Sequence, residues 1–270
     1  MGGSADEKRL RRLHRRFYIN PRRISGQAGS LEAELDSDTV HHIRTVMRIG
    51  EGAKISLFDG TGREYLAEII FSRPDRVRVK ITEQSTPGTE SKLQIVLAQA
   101  LLKEQAFDQA LTTSTELGVT RIFPIISNRV VVKVNPREAD RKLDRWERIL
   151  REAAAQSGRV VPPEIGYAVS LEELLKLEFQ GVKLLLWEKA RGGELKKENI
   201  DAELKKSKRV MLLIGPEGGF EDAEAEKAID AGFTPLGLGP RIFRAGTAPI
   251  AAIAIIQYIY GDLSIELPLG

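Results

Sequence analysis

Residues 210–219 read VMLLIGPEGG, an apolar run that ends in a glycine-rich loop. An uninterrupted apolar run of this length is typical of a strand buried on both faces of a parallel sheet. Residues 234–238, TPLGL, predict a short strand, which ends in the loop 239–244, GPRIFR. Because ligands of α/β proteins bind at the carboxyl ends of parallel strands, the two loops together predict a ligand site.

Strands and helices alternate on both sides of this stretch. Further apolar runs predict strands over residues 93–101, 119–126 and 182–187. Apolar residues at helical spacing predict helices over 106–117, 143–158, 171–177, 223–231 and 247–260, and Thr247 is the expected N-cap of the last helix. This alternation predicts an α/β fold, with a parallel sheet covered on both faces.

The first part of the chain has a different pattern. Residues 37–47 predict a short helix that begins at the polar residues Ser37-Asp38-Thr39, and residues 54–58, 64–71 and 76–82 predict the strands of a small antiparallel β domain. The polar stretch 83–92, EQSTPGTESK, is typical of a linker. We therefore expect two domains, residues 1–87 and residues 88–270.

The composition excludes several classes of chemistry. The chain has no cysteine, and its 3 histidines, His14, His41 and His42, all lie at or before position 42. The later part therefore cannot form a zinc site of Cys and His or a Ser–His–Asp triad, and we predict no metal site. No uncharged apolar run reaches the ~18 residues of a membrane helix, and the start lacks an apolar signal region, so the expected location is the cytoplasm.

Two further stretches predict contacts with partners. Residues 8–23 carry a run of Lys and Arg without an acidic residue, which indicates either a solvated terminus or a contact with a polyanion such as RNA. Residues 248–260 contain no charged residue. A helix that is apolar all round is buried in a core or in a subunit interface, and both alternatives fit here.

The ligand of the two loops is constrained by motifs that the chain lacks. It contains neither GxGxxG at a first strand–helix turn nor GxxxxGK[ST], which disfavours a dinucleotide or an ATP phosphate site. Glu217 in the first loop and Glu221, Asp222 and Glu224 after it also disfavour a polyphosphate. A ligand with a cationic centre or a neutral adenine fits this loop better.

At these loops the sequence resembles the bacterial small-subunit ribosomal RNA uridine-N3 methyltransferases of the SPOUT class. The resemblance is carried by residues 115–124 (TELGVTRIFP), 145–165, 213–220 (LIGPEGGF), 238–244 and Thr247-Ala248. In the first domain, the residues that resemble the family are His42, Val46, Arg48, Gly52, Phe58, Asp59, Gly60 and Gly62. The resemblance covers nearly the whole chain, although Thr113, Gly246 and Pro249 differ from the family's usual residues.

The resemblance implies an S-adenosylmethionine-dependent enzyme that acts as a homodimer on small-subunit (16S) ribosomal RNA, either free or in the assembled subunit. It implies a trefoil knot in the C-terminal domain and a PUA-like β-barrel in the N-terminal domain. The implied cofactor-binding residues are Ile214, Gly215, Pro216, Gly218, Gly219, Leu238, Gly239, Arg241, Ile242 and Thr247. The expected RNA-binding residues are Arg11, Arg12, Arg15, Arg16, Arg22, Arg23 and Arg48.

The reaction predicts the chemistry of the catalytic groups. Uracil N3 carries a weakly acidic proton, so its methylation needs a base or a cation that stabilises the uracilate oxygens. Arg159 and Arg244 are the candidates for the cation, with a structural or phosphate contact as the alternative for each. Glu217 is the candidate proton acceptor, or else it fixes its loop by accepting backbone N–H bonds.

Other functions remain as alternatives. A non-catalytic RNA-binding protein would use the basic stretch and the β domain, but it would leave the paired glycine loops unexplained. A nicotinamide-dependent oxidoreductase is disfavoured because GxGxxG is absent. A SPOUT enzyme for another RNA position is a further alternative. The ribose methyltransferases that this chain is similar to in the first loop carry a Ser-Leu-Asn-Val-Ser type segment before the last helix, where this chain has RIFRAGT (241–247), so base methylation is favoured.

Overall fold

The computed structural model describes residues 15–27, 30–131, 136–190 and 197–264. Their contacts divide the chain into two compact units. The first comprises the residues up to Glu90 together with Arg151–Pro162, and the second comprises Ser91–Leu150 and the residues from Pro163 onward. Arg11 and Arg12, two of the expected RNA-binding residues, lie outside the described residues.

The first unit is built on a six-stranded sheet in the order β1-β4-β5-β6-β3-β2. Its strands are β1 (Arg16–Tyr18), β2 (Ile24–Gln27), β3 (Ser30–Glu34), β4 (Lys54–Phe58), β5 (Glu64–Arg73) and β6 (Arg76–Ser85). The β1–β4 pair is parallel and the other pairs are antiparallel. The sequence predicted β4, β5 and β6 and missed the first three strands, which are short and lie among polar and basic residues.

Two boundaries in this unit differ from the prediction. Strand β6 continues to Ser85, so the first three residues of the expected linker pair with β5. The predicted helix consists of α1 (Ser37–His41) and a π-helical turn, His42–Val46. Its N-cap is Asp36, whose carboxylate accepts a 2.8 Å hydrogen bond from the backbone N–H of Thr39, and not the Ser37-Asp38-Thr39 group.

A buried carboxylate orders the turn between β4 and β5. Asp59 is buried, and its oxygens accept hydrogen bonds from the Thr61 backbone N–H at 2.8 Å, the Thr61 hydroxyl at 2.7 Å and the Tyr65 hydroxyl at 2.8 Å. Burial, followed by the bond to Asp59, raises the pKa of Tyr65 above its ordinary value of 10.0. The carboxylate is thus satisfied by groups of its own turn and of β5.

Tyr65→Phe is expected to lower the free energy of unfolding by about 1–3 kcal/mol, because Asp59 loses a donor in a buried site. The raised pKa stabilises the fold at pH values below the ordinary tyrosine pKa, and this contribution is lost as the pH rises through the folded-state pKa. Urea unfolding at neutral and alkaline pH measures both effects. Tyr18→Phe is the control, since no hydrogen bond to the Tyr18 hydroxyl occurs among the described residues. Equal losses of unfolding free energy in the two variants would contradict a stabilising role of the Tyr65–Asp59 hydrogen bond.

The second unit is built on a seven-stranded sheet, and every strand pair in it is parallel, which confirms the predicted parallel sheet. Its strands are β7 (Gln94–Ala100), β8 (Val119–Ile126), β9 (Glu164–Ile165), β10 (Val169–Ser170), β11 (Val182–Leu186), β12 (Arg209–Ile214) and β13 (Thr234–Leu236). The order is β10-β8-β7-β12-β11-β13, and β9 pairs with β8.

Helices cover the sheet, and apolar side chains fill a core on each face. The helices are α2 (Glu104–Glu116), α3 (Ala139–Ser157), α4 (Leu171–Leu175), α5 (Lys197–Ser207), α6 (Asp222–Asp230) and α7 (Ala248–Tyr260). Along β12, Val210, Leu212 and Ile214 belong to one core, and Met211 and Leu213 belong to the other. This alternation explains why the strand is apolar at every position.

The buried amide of Gln257 connects α7 to the end of α2. Its Nε2 donates a 3.0 Å hydrogen bond to the Leu117 carbonyl, and its Oε1 accepts a 3.0 Å bond from the Ser91 hydroxyl. Gly118 has φ of +84°, and a Cβ atom there would lie 2.5 Å from Gln257 Nε2. Glycine at position 118 therefore permits both the left-handed turn and the close approach of Gln257.

The described residues hold neither a membrane-spanning helix nor a metal-binding cluster. None of the helices in that part of the chain combines the length and the apolar character needed to cross a membrane. The same residues contain no group of three or more His, Cys, Asp or Glu side chains arranged to hold a metal ion.

Candidate active site

Three parallel strands end at the same edge of the second sheet and position the two predicted loops. β11 lies between β12 and β13, so the loop 215–219 and the loop 237–247 leave the sheet on either side of its end. The Trp187 backbone N–H, just after β11, donates a 3.2 Å hydrogen bond to the Leu236 carbonyl of β13. The two loops thus flank the segment that follows β11.

Gln99 of β7 and Lys103, which directly precedes α2, bind the loop 215–219. Gln99, at the end of β7, donates from Nε2 to the Gly215 carbonyl at 3.4 Å. The Glu217 carboxylate accepts a 3.1 Å bond from the Lys103 backbone N–H, and the Gly219 N–H donates to the Pro216 carbonyl at 2.9 Å. Ile214, Gly215 and Pro216 are buried, whereas Gly218 is exposed.

The segment after β8 holds the loop from the other side. Arg129 Nη1 donates to the Gly218 carbonyl at 2.9 Å, and Asn128 Nδ2 donates to Glu221 Oε2 at 2.9 Å. The Asn128 backbone N–H donates to Glu224 Oε1 at 2.8 Å. Sequence reasoning missed Asn128 and Arg129. The signal that could have found them is their position after a strand of the same parallel sheet.

The glycines of the loop lie close to neighbouring side chains. Gly219 has φ of +69°, and a Cβ atom there would lie 3.2 Å from Oε1 of Glu188. A Cβ atom on Gly218 would meet the Arg129 side chain at 3.4 Å, and one on Gly215 would meet the Phe220 ring at 3.2 Å. A side chain at any of the three positions would crowd these neighbours, so glycine permits the close approach of other groups to the backbone of the loop.

The second loop is exposed, and among the described residues its two arginine side chains have no hydrogen-bond or ion-pair partner. Arg241, Ile242 and Arg244 are exposed. Within the described ranges, no hydrogen bond or ion pair involves the guanidinium of Arg241 or of Arg244. The Arg244 carbonyl accepts hydrogen bonds from the backbone N–H groups of Thr247 and Ala248 at 2.8 and 2.9 Å.

Thr247 differs from the prediction in one respect. It occupies the N-cap position of α7, but its side chain makes no capping hydrogen bond, because its backbone is helical (φ −91°, ψ −31°) rather than extended. Pro249 lies in the first turn of α7, where a missing N–H costs no helix hydrogen bond.

Buried polar atoms without a partner lie at this edge of the sheet. Among the described residues, Gln99 Oε1, Ser127 Oγ and Trp187 Nε1 are buried and have no hydrogen-bond partner. They follow or end β7, β8 and β11, three of the strands whose carboxyl ends form the edge. Unsatisfied buried polar atoms are rare in native structures, so these three atoms are candidate partners for a ligand at this edge.

Arg159 and Arg16 belong to the first unit, where protein groups already engage them. Arg159 is buried, and its Nε and Nη2 donate to Glu90 Oε2 at 2.9 and 2.7 Å. Arg16 is 5% exposed, donates from Nε to Glu64 at 2.6 Å and stacks over the Phe58 ring at 4.7 Å. The expectation that Arg16 contacts RNA is corrected, because its guanidinium is buried against the protein. The other described candidates, Arg15, Arg22, Arg23 and Arg48, are exposed.

Helix α7 has an apolar face that its own unit leaves uncovered. Ala252, Ile253 and Ile256 are buried in the core, but Ile255, Tyr258 and Ile259 are 46%, 57% and 56% exposed. Their spacing places them on one side of the helix. Among the residues that the structure describes, α7 is therefore covered on one face only, which agrees with the interface alternative for residues 248–260.

Comparisons with known proteins agree with this arrangement. The RNA methyltransferase domain family matches residues 89–257, and the RNA methyltransferase PUA domain matches residues 35–82. The ribosomal RNA small subunit methyltransferase E of Bacillus subtilis is 32% identical over 227 residues, which are 83% of this chain and 89% of the relative.

Solved structures are similar over almost the same length. A methyltransferase of Legionella pneumophila, solved with bound cofactor SAM, has a TM-score of 0.84 and 33% identity over 92% of this chain and 99% of that one. The ribosomal RNA small subunit methyltransferase E of Neisseria gonorrhoeae, solved with S-adenosyl methionine, has a TM-score of 0.81 with the same identity and coverage. Sequence and fold agree, and the chain belongs to the ribosomal RNA small subunit methyltransferase E family.

Proposed function

We propose that the protein transfers the methyl group of S-adenosylmethionine to N3 of a uridine in small-subunit (16S) ribosomal RNA. The observation that carries the proposal is the pair of loops 215–219 and 237–247 on either side of β11, with an uncommitted Arg244 in the second loop. Two similar solved structures, one of them a named small-subunit methyltransferase E, contain S-adenosyl methionine. This supports the same cofactor for this chain.

The described residues fit this cofactor. The loop 215–219 has glycine at three of its five positions, where other groups can approach the backbone closely, and Gln99, whose Oε1 has no partner among the described residues, donates from Nε2 to the Gly215 carbonyl. We propose that the backbone of this loop holds the cofactor together with Leu238, Gly239, Arg241, Ile242 and Thr247 of the second loop. The bound cofactor supplies a methyl group on a positively charged sulfur.

The remaining chemistry belongs to side chains of the protein. Uracil N3 must lose its proton, and a fixed positive charge near O2 or O4 favours the N3 anion. Arg244 is free for this role, whereas Arg159 is paired with Glu90. The bond from Lys103 to Glu217 supports the interpretation that Glu217 fixes its loop, which leaves proton acceptance by Glu217 as the less supported of its two roles.

The RNA-binding part of the proposal concerns the first domain. We propose that residues 1–87 form a PUA-like β-barrel that holds ribosomal RNA through the exposed Arg15, Arg22, Arg23 and Arg48, and that residues 88–270 form a knotted SPOUT domain. The match of residues 35–82 to the PUA domain of RNA methyltransferases supports the first assignment. We also propose that the protein works in the cytoplasm, where it meets either free RNA or the assembled small subunit.

We also propose that the protein is a homodimer. The uncovered face of α7 (Ile255, Tyr258 and Ile259) is apolar and begins close to the second loop. Apolar side chains at helical spacing on one face are typical of helix–helix contacts between subunits. We propose that two copies of this face pack together beside the cofactor loops.

The test is methyl transfer from labelled S-adenosylmethionine to small ribosomal subunits that lack the modification, with the products identified as nucleosides by mass spectrometry. We expect the label in 3-methyluridine. Label in a 2′-O-methylated nucleoside would favour the ribose-modifying alternative. Binding of RNA without transfer of label, beside an active control enzyme, would favour a non-catalytic RNA-binding protein.

A further inference from the structure

Glu188 lies between the two loops proposed to hold the cofactor. It comes directly after Trp187 at the carboxyl end of β11, the strand that is hydrogen-bonded to β12 on one side and to β13 on the other. Glu188 is exposed. Any ligand that contacts both loops must therefore pass across the end of β11, where this carboxylate is located.

The Glu188 carboxylate faces the backbone of the glycine loop. A Cβ atom on Gly219 would lie 3.2 Å from its Oε1 and 3.5 Å from its Oε2. The left-handed φ of +69° at Gly219 also favours glycine at this position. Glycine at position 219 thus permits the carboxylate to lie this close to the backbone of the loop.

The positively charged side chains of Lys189 and Arg129 contact acceptors other than Glu188. Lys189 donates to Asp222 Oδ1 at 2.5 Å, and Arg129 contacts the Gly218 carbonyl and, at 3.8 Å, Glu221. In the part of the chain that the structure describes, no hydrogen bond or ion pair reaches the Glu188 carboxylate. Both of its oxygens are therefore available as acceptors for a ligand.

The chemistry of S-adenosylmethionine selects one group as the partner of this carboxylate. The sulfonium carries no N–H or O–H donor, and the α-ammonium group stands beside an α-carboxylate that Glu188 would repel. The adenine amino group is flanked by a ring nitrogen acceptor. The ribose alone presents two adjacent hydroxyl donors, which match the two oxygens of a carboxylate. Dinucleotide-binding α/β proteins use an acidic residue for a ribose hydroxyl in the same chemical way.

We propose that Glu188 is a cofactor-binding residue that accepts hydrogen bonds from the ribose hydroxyls of the S-adenosyl ligand. This inference rests on the proposed function. It makes the site selective for a ribonucleoside, because a ligand without a hydroxyl leaves a carboxylate oxygen without its donor.

The test is calorimetric binding of S-adenosylhomocysteine, whose sulfur is neutral, to the full chain and to its Glu188→Gln variant. We expect Glu188→Gln to weaken binding about 10- to 100-fold, the range for hydrogen bonds to a charged group. Glu226→Gln is the matched control, because it removes the same charge from an exposed position on α6. We expect no more than a twofold change (~0.4 kcal/mol) for this control.

The 3′-deoxy analogue of S-adenosylhomocysteine identifies the contact. We expect the wild-type chain to bind it more weakly than the parent compound, and Glu188→Gln to bind the two compounds with similar affinity. Wild-type affinity of Glu188→Gln for S-adenosylhomocysteine would overturn the inference, and so would an undiminished preference of that variant for the parent compound. Failure of the wild-type chain itself to bind either compound would instead overturn the proposed function.

Discussion

Arg244→Ala is expected to lower the rate of methyl transfer by about 10²- to 10³-fold, the usual loss when one group that stabilises a developing anion is removed. Cofactor affinity is expected to stay within about twofold (~0.4 kcal/mol), because the Arg244 guanidinium makes no contact within the described part of the chain that would hold the loop. Its backbone carbonyl, which accepts the bonds from Thr247 and Ala248, is retained in the variant. Single-turnover transfer and calorimetric binding of S-adenosylhomocysteine measure the two quantities separately.

Two further variants define what Arg244 supplies. Arg244→Lys keeps the charge but loses the planar fork, so a partial recovery of rate would show that charge is the larger part of the effect. Arg141→Ala is the control, since Arg141 is an exposed arginine of α3 outside the two loops. Equal losses of transfer and of cofactor binding in Arg244→Ala would contradict the proposed role, because they would indicate a structural residue.

Ile255→Asp is expected to convert the protein to a monomer and to abolish most of its methyl transfer. The residue belongs to the uncovered face of α7, one helical turn before Tyr258 and Ile259. A carboxylate in an apolar interface must lose its hydration without gaining a partner, which costs several kcal/mol and raises the dissociation constant by at least about 10²-fold. Analytical ultracentrifugation over a concentration series measures this change.

The control for this variant is Ile229→Asp. Ile229 is an exposed isoleucine of the same unit, 37% exposed against 46% for Ile255, but it lies on α6. We expect Ile229→Asp to leave both the molecular mass in solution and the transfer rate unchanged. A dimeric, active Ile255→Asp protein would show that this face is not the subunit interface.

The second unit was largely predictable from its sequence because the sheet is buried on both faces. Strand β12 then consists almost entirely of apolar residues, and the loop that follows it is marked by glycine. The position of β11 between β12 and β13 was not predictable, since strand order depends on how the chain crosses over and not on local pattern. For that reason Glu188 was overlooked, although the loops on either side of it were identified.

The first unit was less predictable from its sequence than the second. Strands β1–β3 are short, and β1 lies within the basic stretch 8–23, whose charge indicates a solvated terminus or an RNA contact and not a strand. Arg16 was assigned to an RNA surface from charge alone, because sequence cannot show that its guanidinium stacks on Phe58 and pairs with Glu64. Arg159 and Glu90, which are far apart in sequence, likewise pair only once the chain has folded.

The discontinuity of the first unit restricts how this protein can be divided into fragments. Residues 151–162 follow the second unit's first strands in the chain, yet they supply the Ala154 and Arg159 carbonyls that accept 3.0 and 2.8 Å bonds from Arg16. A recombinant piece that ends at residue 87 would leave this buried guanidinium without those two acceptors. The first unit cannot be exchanged between proteins as one contiguous cassette, and a functional transplant must carry the later segment with it.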